Sequence, residues 1–206
     1  MKRVCVDTNM LIWYIKRQCT EGQEDFLDKA EWLFKYFERK KIDVVIPSLV
    51  VAELLAHVEN DEEREGYFDY INTHFEIAQH DIKSARKYVQ LMQQLIANNA
   101  NDYAKDKGVK RFQLTNDYNI CSVALSSDCD AIFSHNLKDF EQFANHQIPI
   151  YTLDYVNILK EEEEAENLAN PKSKHNPEQV NLFDLMNDDD EDDEDMDEHK
   201  EIKAEP

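Results

Sequence analysis

Short apolar, β-branched runs recur along this chain, and a helical pattern follows almost every one. Arg3 to Val6 is the first, Asp43 to Ile46 the second, Phe75 to Ala78 the third, Ala131 to Ser134 the fourth and Pro149 to Thr152 the fifth. Between them, apolar residues return at helical intervals, as at Phe26, Leu27, Ala30, Leu33, Phe34 and Phe37. Runs of four or five residues are too short for helices and suit strands buried on both faces. Strands alternating with helices predict an α/β domain with a parallel sheet covered on both sides. Further helices are expected over Met10 to Ile15, Leu49 to Val58 (capped by Ser48), Glu62 to His74, Asp81 to Ala97, from a Thr115 or Asn116 cap to Leu125, and Leu153 to Glu163. A short helical segment is expected over Lys138 to Phe143.

The chain has 206 residues with a net charge of −21, unevenly distributed. Residues 161–206 hold 19 acids and 4 bases, net −15, whereas residues 1–160 hold 25 acids and 19 bases, net −6. Every position from Asp188 to Glu198 except Met196 is acidic. Self-repulsion without apolar residues predicts a largely disordered acidic tail over 161–206, after a folded domain spanning 1–160. The three glycines, at 22, 66 and 108, cannot form a phosphate-cradling loop, which excludes P-loop and Rossmann sites. Cys5, Cys19, Cys121 and Cys129 lack ligand spacing and read as reduced thiols, with no zinc site and no disulfide framework. No apolar run approaches a membrane span, so a cytoplasmic location is expected.

In open parallel sheets, functional groups gather beyond the carboxyl ends of the strands. Asp7 ends the first strand, in VDTN, and Glu53 lies one turn into the helix after the second, in SLVVAEL. Asp117 opens a later helix, in TNDYNICSVAL, and Ser134, Asn136 and Asp139 follow the fourth strand, in FSHNLKDF. Taken singly, each has a plain structural reading. Asp7 could cap a helix, Asp117 could favour a helix dipole, and Ser134 and Asn136 could be turn residues. Carboxylates among apolar neighbours are costly unless paired or bound to a cation. No lysine or arginine adjoins any of the three in sequence, and hard oxygen ligands suit Mg2+ or Mn2+.

In this order, these motifs resemble the PIN-domain ribonucleases, over about Arg3 to Leu159. The resemblance implies a five-stranded central parallel sheet flanked by helices. It implies Asp7, Glu53 and Asp117 as metal-binding acids, completed by Asn136 and Asp139, with Thr8, Asn9 and Ser134 positioning water. Asn136 stands where some members carry a fourth acid, which weakens any second metal site. His135 beside it reads as a solvent-facing loop residue. The implied reaction is metal-dependent hydrolysis of RNA phosphodiester bonds. A similarity to the VapC-type toxins implies a protein antitoxin and a homodimer.

RNA requires cationic or aromatic contacts. Lys105, Lys107, Lys110 and Arg111 precede Asp117 and are the expected RNA-binding group. Arg39 to Lys41 reads as complementing a helix end, and Trp13, Tyr14 and Trp32 read as core or interface more readily than as base-stacking groups. The acidic tail reads as solubilising, or alternatively as a nucleic-acid mimic covering a basic surface. Gln179-Val180-Asn181-Leu182-Phe183 resembles short peptides that dock on bacterial sliding clamps. The alternative from another class is a catalytically silent interaction module acting through its tail. A receiver domain is disfavoured: Asp7 has no acidic neighbour, and Ile150-Tyr151-Thr152 offers no lysine.

Overall fold

The computed structural model describes residues 1–97, 111–137, 140 and 147–169. Five strands, β1 (Arg3–Val6), β2 (Asp43–Pro47), β3 (Glu76–Ala78), β4 (Ala131–Phe133) and β5 (Ile150–Tyr151), form one sheet in the order β3-β2-β1-β4-β5. All four pairings are parallel, with Val4 opposite both Val44 and Ala131, Val45 opposite Glu76, and Ile132 opposite Ile150. The helices are α1 (Thr8–Tyr14), α2 (Glu24–Lys40), α3 (Ser48–Leu55), α4 (Asp61–His74), α5 (Ile82–Ala97), α6 (Arg111–Ser126) and α7 (Tyr155–Ala169). This is the expected five-stranded parallel α/β architecture.

The strand order fixes where a site can form. The chain moves outward from β1 through β2 to β3, then returns to the other side of β1 for β4 and β5. The order in which strands are added reverses between β1 and β4, so the segments leaving these two strands diverge and open a crevice. Val4, Cys5 and Val6 are fully buried on β1, as are Ala131, Ile132 and Phe133 on β4. The central strands are thus rigid supports for whatever follows their carboxyl ends.

Helix α2 covers the sheet with Ala30, Leu33, Phe34 and Phe37, the i, i+3, i+4, i+7 stripe of an amphipathic helix. Glu24 and Asp25 open it and Arg39 and Lys40 close it, each favourably placed against the helix dipole. Lys41 ends it in the left-handed region, at φ 55°. Arg39 also forks onto Glu163 of α7, through Nη2 at 2.8 Å and Nε at 3.3 Å. The basic group at 39–41 therefore finishes a helix, as its position suggested.

Several boundaries differ from the sequence expectation. Ser48 is the first helical residue of α3; Pro47 occupies the cap and no side chain bonds there. Proline's fixed φ already sets the entry into the helix. Helix α6 starts at Arg111, so neither Thr115 nor Asn116 caps it, and Asp117 lies in its second turn rather than its first. Asn60, which the sequence reading passed over, caps α4 by accepting from the backbone N–H groups of Glu62 and Glu63, at 2.8 and 3.1 Å. Helix α7 continues to Ala169, past the expected end at Glu163.

By compactness the chain divides into Met1–Glu164 and Ala165–Pro206. Of the second unit only 165–169, the last residues of α7, are described. The acidic run 188–198, the segment Gln179–Phe183 and most of the helix expected over 138–143 lie outside the described residues. No helix among the described residues is long and apolar enough to cross a membrane.

Candidate active site at the carboxyl edge of the sheet

Asp7 is the first residue beyond β1 and caps α1 from an extended conformation, φ −87° and ψ 165°. Its backbone N–H continues the β1–β4 ladder, donating to the Phe133 carbonyl at 3.0 Å. That bond places Asp7 directly beside the end of β4, on the crevice. Its Oδ1 accepts from the Thr8 backbone N–H at 2.6 Å and its Oδ2 from the Ser134 hydroxyl at 2.7 Å. The same Ser134 oxygen accepts from the Asn136 N–H at 3.0 Å. The structural reading of Asp7 as a cap and its reading as a site residue are thus compatible.

Glu53 reaches the same place from α3. Its Oε2 accepts from the Thr8 hydroxyl at 2.5 Å and its Oε1 from the Asn116 side-chain amide at 2.5 Å. Thr8 therefore ties the two acids into one network: its N–H holds Asp7 and its hydroxyl holds Glu53. Asn116 anchors the network to α6, one residue before Asp117, which is 8% exposed. The donors to Asp7 and Glu53 are hydroxyl, amide and backbone groups, all neutral. Among the described residues, no cationic group donates a hydrogen bond to either of these two acids, which is the condition under which carboxylates draw in a cation.

The electrostatics follow from burial. Asp7 is 6% exposed. Loss of water around its carboxyl is the main reason its pKa is raised, and the negative charge of Glu53 adds to the rise. Hydrogen bonds from Ser134 and Thr8, and the positive potential of His135, pull the other way. Among the described residues, no three His, Cys, Asp or Glu side chains form a ready-made cage for an ion. The donor set nevertheless fits a hard divalent cation: carboxylate oxygens flanked by hydroxyls and amides, the oxygen-rich surroundings such ions prefer.

Of the other residues singled out from sequence, Ser134 is fully buried and Asn9 is half-buried on the first turn of α1. Asp139, Lys105, Lys107 and Lys110 lie outside the described residues, as does the side chain of Arg111. Asn116 is the residue the sequence reading missed as part of the site. Its place in the sequence suits a helix cap, and only the earlier start of α6 reveals it as a side chain on the helix face toward Glu53. Trp13 is 3% exposed and Tyr14 stacks on Phe34 at 4.0 Å, so both serve the interior. Trp32 stacks on Tyr36 at 5.2 Å beneath Arg39 and Lys160. His135 is exposed, with its ring centroid 5.2 Å from those of both Trp13 and Phe26.

A parallel sheet in the order 3-2-1-4-5, with acids at the β1–β4 crevice, defines the class as an α/β domain with an acidic site at its switch point. The PIN domain family model matches residues 4–145, and the chain belongs to that family. PIN domains are typically nucleases that use divalent metal ions. The fold is shared with a chain of the DNA-bound VapBC complex from Salmonella typhimurium, at 20% identity and a TM-score of 0.52, covering 74% of this chain and 99% of that one. It is also shared with a chain of VapBC2 from Rickettsia felis, bound to a DNA fragment from its promoter. There the identity is 19% and the TM-score 0.50, with 73% and 98% of the two chains covered. A chain of VapBC-1 from nontypeable Haemophilus influenzae gives 17% identity and a TM-score of 0.50, covering 74% and 98%. No curated protein matches the chain.

Proposed function

We propose that this PIN domain is a metal-dependent endoribonuclease that hydrolyses RNA phosphodiester bonds. The single observation carrying this reading is the Thr8 bridge, which unites Asp7 after β1 and Glu53 of α3 in one hydrogen-bonded network at the sheet's switch point. Asp7, Glu53 and Asp117 would hold Mg2+ or Mn2+, with Asn136 and Asp139 completing the site. Such an ion, when bound, lowers the pKa of a water and offsets charge developing on the phosphoryl oxygens. Thr8, Asn9 and Ser134 orient water molecules around the carboxylates. In the reaction, the water oxygen bonds to phosphorus as the ester P–O bond breaks. One carboxylate takes the water's proton, and the leaving oxygen is protonated in turn. Lys105, Lys107, Lys110 and Arg111 would supply contacts to the RNA phosphates.

The test is cleavage of a mixed single-stranded RNA pool by the full chain, with Mg2+, with Mn2+ and with a chelator. Cleavage that requires either ion is the expected result. A protein that binds either ion yet cuts no RNA would leave the silent interaction module as the better description.

A narrower expectation concerns Thr8. Thr8→Val keeps the shape and the backbone N–H to Asp7 but removes the hydroxyl that orients Glu53. Losing a group that orients a metal ligand typically weakens metal affinity or activity about 10- to 100-fold. Isothermal titration with Mn2+ should show that loss, with the far-UV circular dichroism unchanged. Thr8→Ser should recover most of the affinity.

The same proposal extends to partners. The fold shared with VapBC chains supports a cognate protein antitoxin, and a toxin role in a homodimeric state belongs to the same proposal. A small neighbouring gene whose product co-purifies with this chain, and a dimer mass by light scattering, are the expected findings. Residues Gln179 to Phe183 would dock on a sliding clamp. A pull-down that loses the clamp on Leu182→Ala with Phe183→Ala checks that separately.

A further inference from the structure

His135 lies between two residues of the site, and the site leaves it without a task. The Ser134 N–H donates to the Tyr151 carbonyl at 2.9 Å, and the Asn136 N–H donates back to the Ser134 hydroxyl at 3.0 Å. The backbone on both sides of His135 is therefore tied down, and the residue stands at the apex of the turn. Its side chain does not collapse into the core; it is exposed. It rests against buried Trp13 at an interplanar angle of 87° and against half-buried Phe26 at 61°. Neither ring lies parallel on the imidazole. The result is an exposed ring held by two aromatic supports, one residue from Ser134, whose hydroxyl donates to Asp7 at 2.7 Å.

We propose that His135, propped by Trp13 and Phe26, is the stacking platform for one nucleobase of the RNA strand lying at the catalytic edge. The proposal rests on the nuclease reading above and assigns the site a base-contacting position. Single-stranded RNA is held by stacking unpaired bases on exposed aromatic or histidine rings, whatever the base identity. A platform works when its ring is already immobile, because little conformational freedom is then lost on binding. The turn and the two supporting rings supply that immobility. The location matters as much as the ring: a base seated here belongs to a nucleotide next to the phosphodiester presented to Asp7 and Glu53.

The experiment uses the full chain in chelator, so that no cleavage intervenes. Fluorescence anisotropy measures binding of a labelled single-stranded RNA and of a set in which each base in turn is replaced by an abasic nucleotide. Wild type should show one position at which base removal weakens binding on the order of tenfold. His135→Leu retains an apolar prop against Trp13 and Phe26 but offers no π face, and should erase that positional penalty. His135→Phe should restore it. In the metal-loaded enzyme, the Leu variant should raise KM for RNA, and His135→Phe should return it toward the wild-type value. A nucleoside monophosphate added as competitor should displace RNA only weakly, which separates a strand subsite from a free-nucleotide site. An abasic penalty identical in wild type and His135→Leu, no penalty at any position, or no RNA binding at all overturns the proposal. A His135-dependent penalty in a protein that never cleaves RNA retains the platform and removes the nuclease reading. Normal cleavage with no penalty does the reverse.

Discussion

Asp7→Asn should abolish most RNA cleavage while leaving a folded protein. The substitution keeps the size of the side chain and one carbonyl oxygen, so the cap to the Thr8 N–H survives. The Ser134 hydroxyl can turn to accept from the new amide instead of donating to Oδ2. What disappears is a negative charge at the end of β1. If the ion contributes several kcal/mol of transition-state stabilisation, its displacement lowers the rate roughly 10^2- to 10^4-fold. Stability should move in the opposite sense when the protein is metal-free. Burial raises the pKa of Asp7, so the folded state holds its proton more tightly than the unfolded state. The ionised side chain thus opposes folding, and this cost grows as pH rises from the ordinary carboxylate value through the folded one. At neutral pH in chelator, Asp7→Asn should melt at the wild-type temperature or above it. With Mg2+ or Mn2+ added, wild type should gain stability by mass action and the variant should gain little. Calorimetric melts with and without the ion, beside a cleavage time course, check both halves. Undiminished cleavage by a well-folded Asp7→Asn protein would falsify the assignment of Asp7.

The fold was readable because its signals are periodic and cumulative. Five apolar runs and the helical stripe on α2 each repeat enough to be recognised without knowing their neighbours. The meeting of Asp7 and Glu53 through Thr8 has a related sequence signal: both acids interrupt apolar surroundings, where a lone carboxylate is costly. Asn116 was not readable. An asparagine two residues after a leucine, before an acid, is an ordinary helix cap, and its role depends on α6 having begun at Arg111. Only the three-dimensional meeting of α3 and α6 turns that amide toward Glu53. The Thr8 bridge was half legible. VDTN marks a position for the threonine, but which carboxylate its hydroxyl reaches depends on packing between helices 45 residues apart. His135 shows the same limit. Its loop position was legible, whereas Trp13 and Phe26 converge on it from two helices, α1 and α2.

Phe133→Ala should produce the largest loss of stability. The ring is fully buried on β4, edge-on to Phe37 at 5.2 Å and tilted against Tyr151 at 5.6 Å. It therefore couples β4 to α2 and to the neighbouring strand β5. Removing a buried phenyl group costs about 3–5 kcal/mol, from lost transfer energy plus the cavity left behind. Against a total stability of about 5–15 kcal/mol, that is a large share. For a domain of this size the melting midpoint should fall on the order of 10 °C. Phe133→Leu fills most of the space and should lose much less. Ile158→Ala, at a residue 47% exposed, should stay near wild type. The consequence for the site is specific. Phe133 contributes its carbonyl to Asp7 and directly precedes Ser134, so the backbone it carries aligns both. Below its own melting transition, Phe133→Ala should still bind Mn2+, because those backbone bonds do not involve the ring. A variant that melts normally but no longer binds the ion would mean the ring itself shapes the site, and would contradict the division drawn between a packed sheet that supports and an edge that acts.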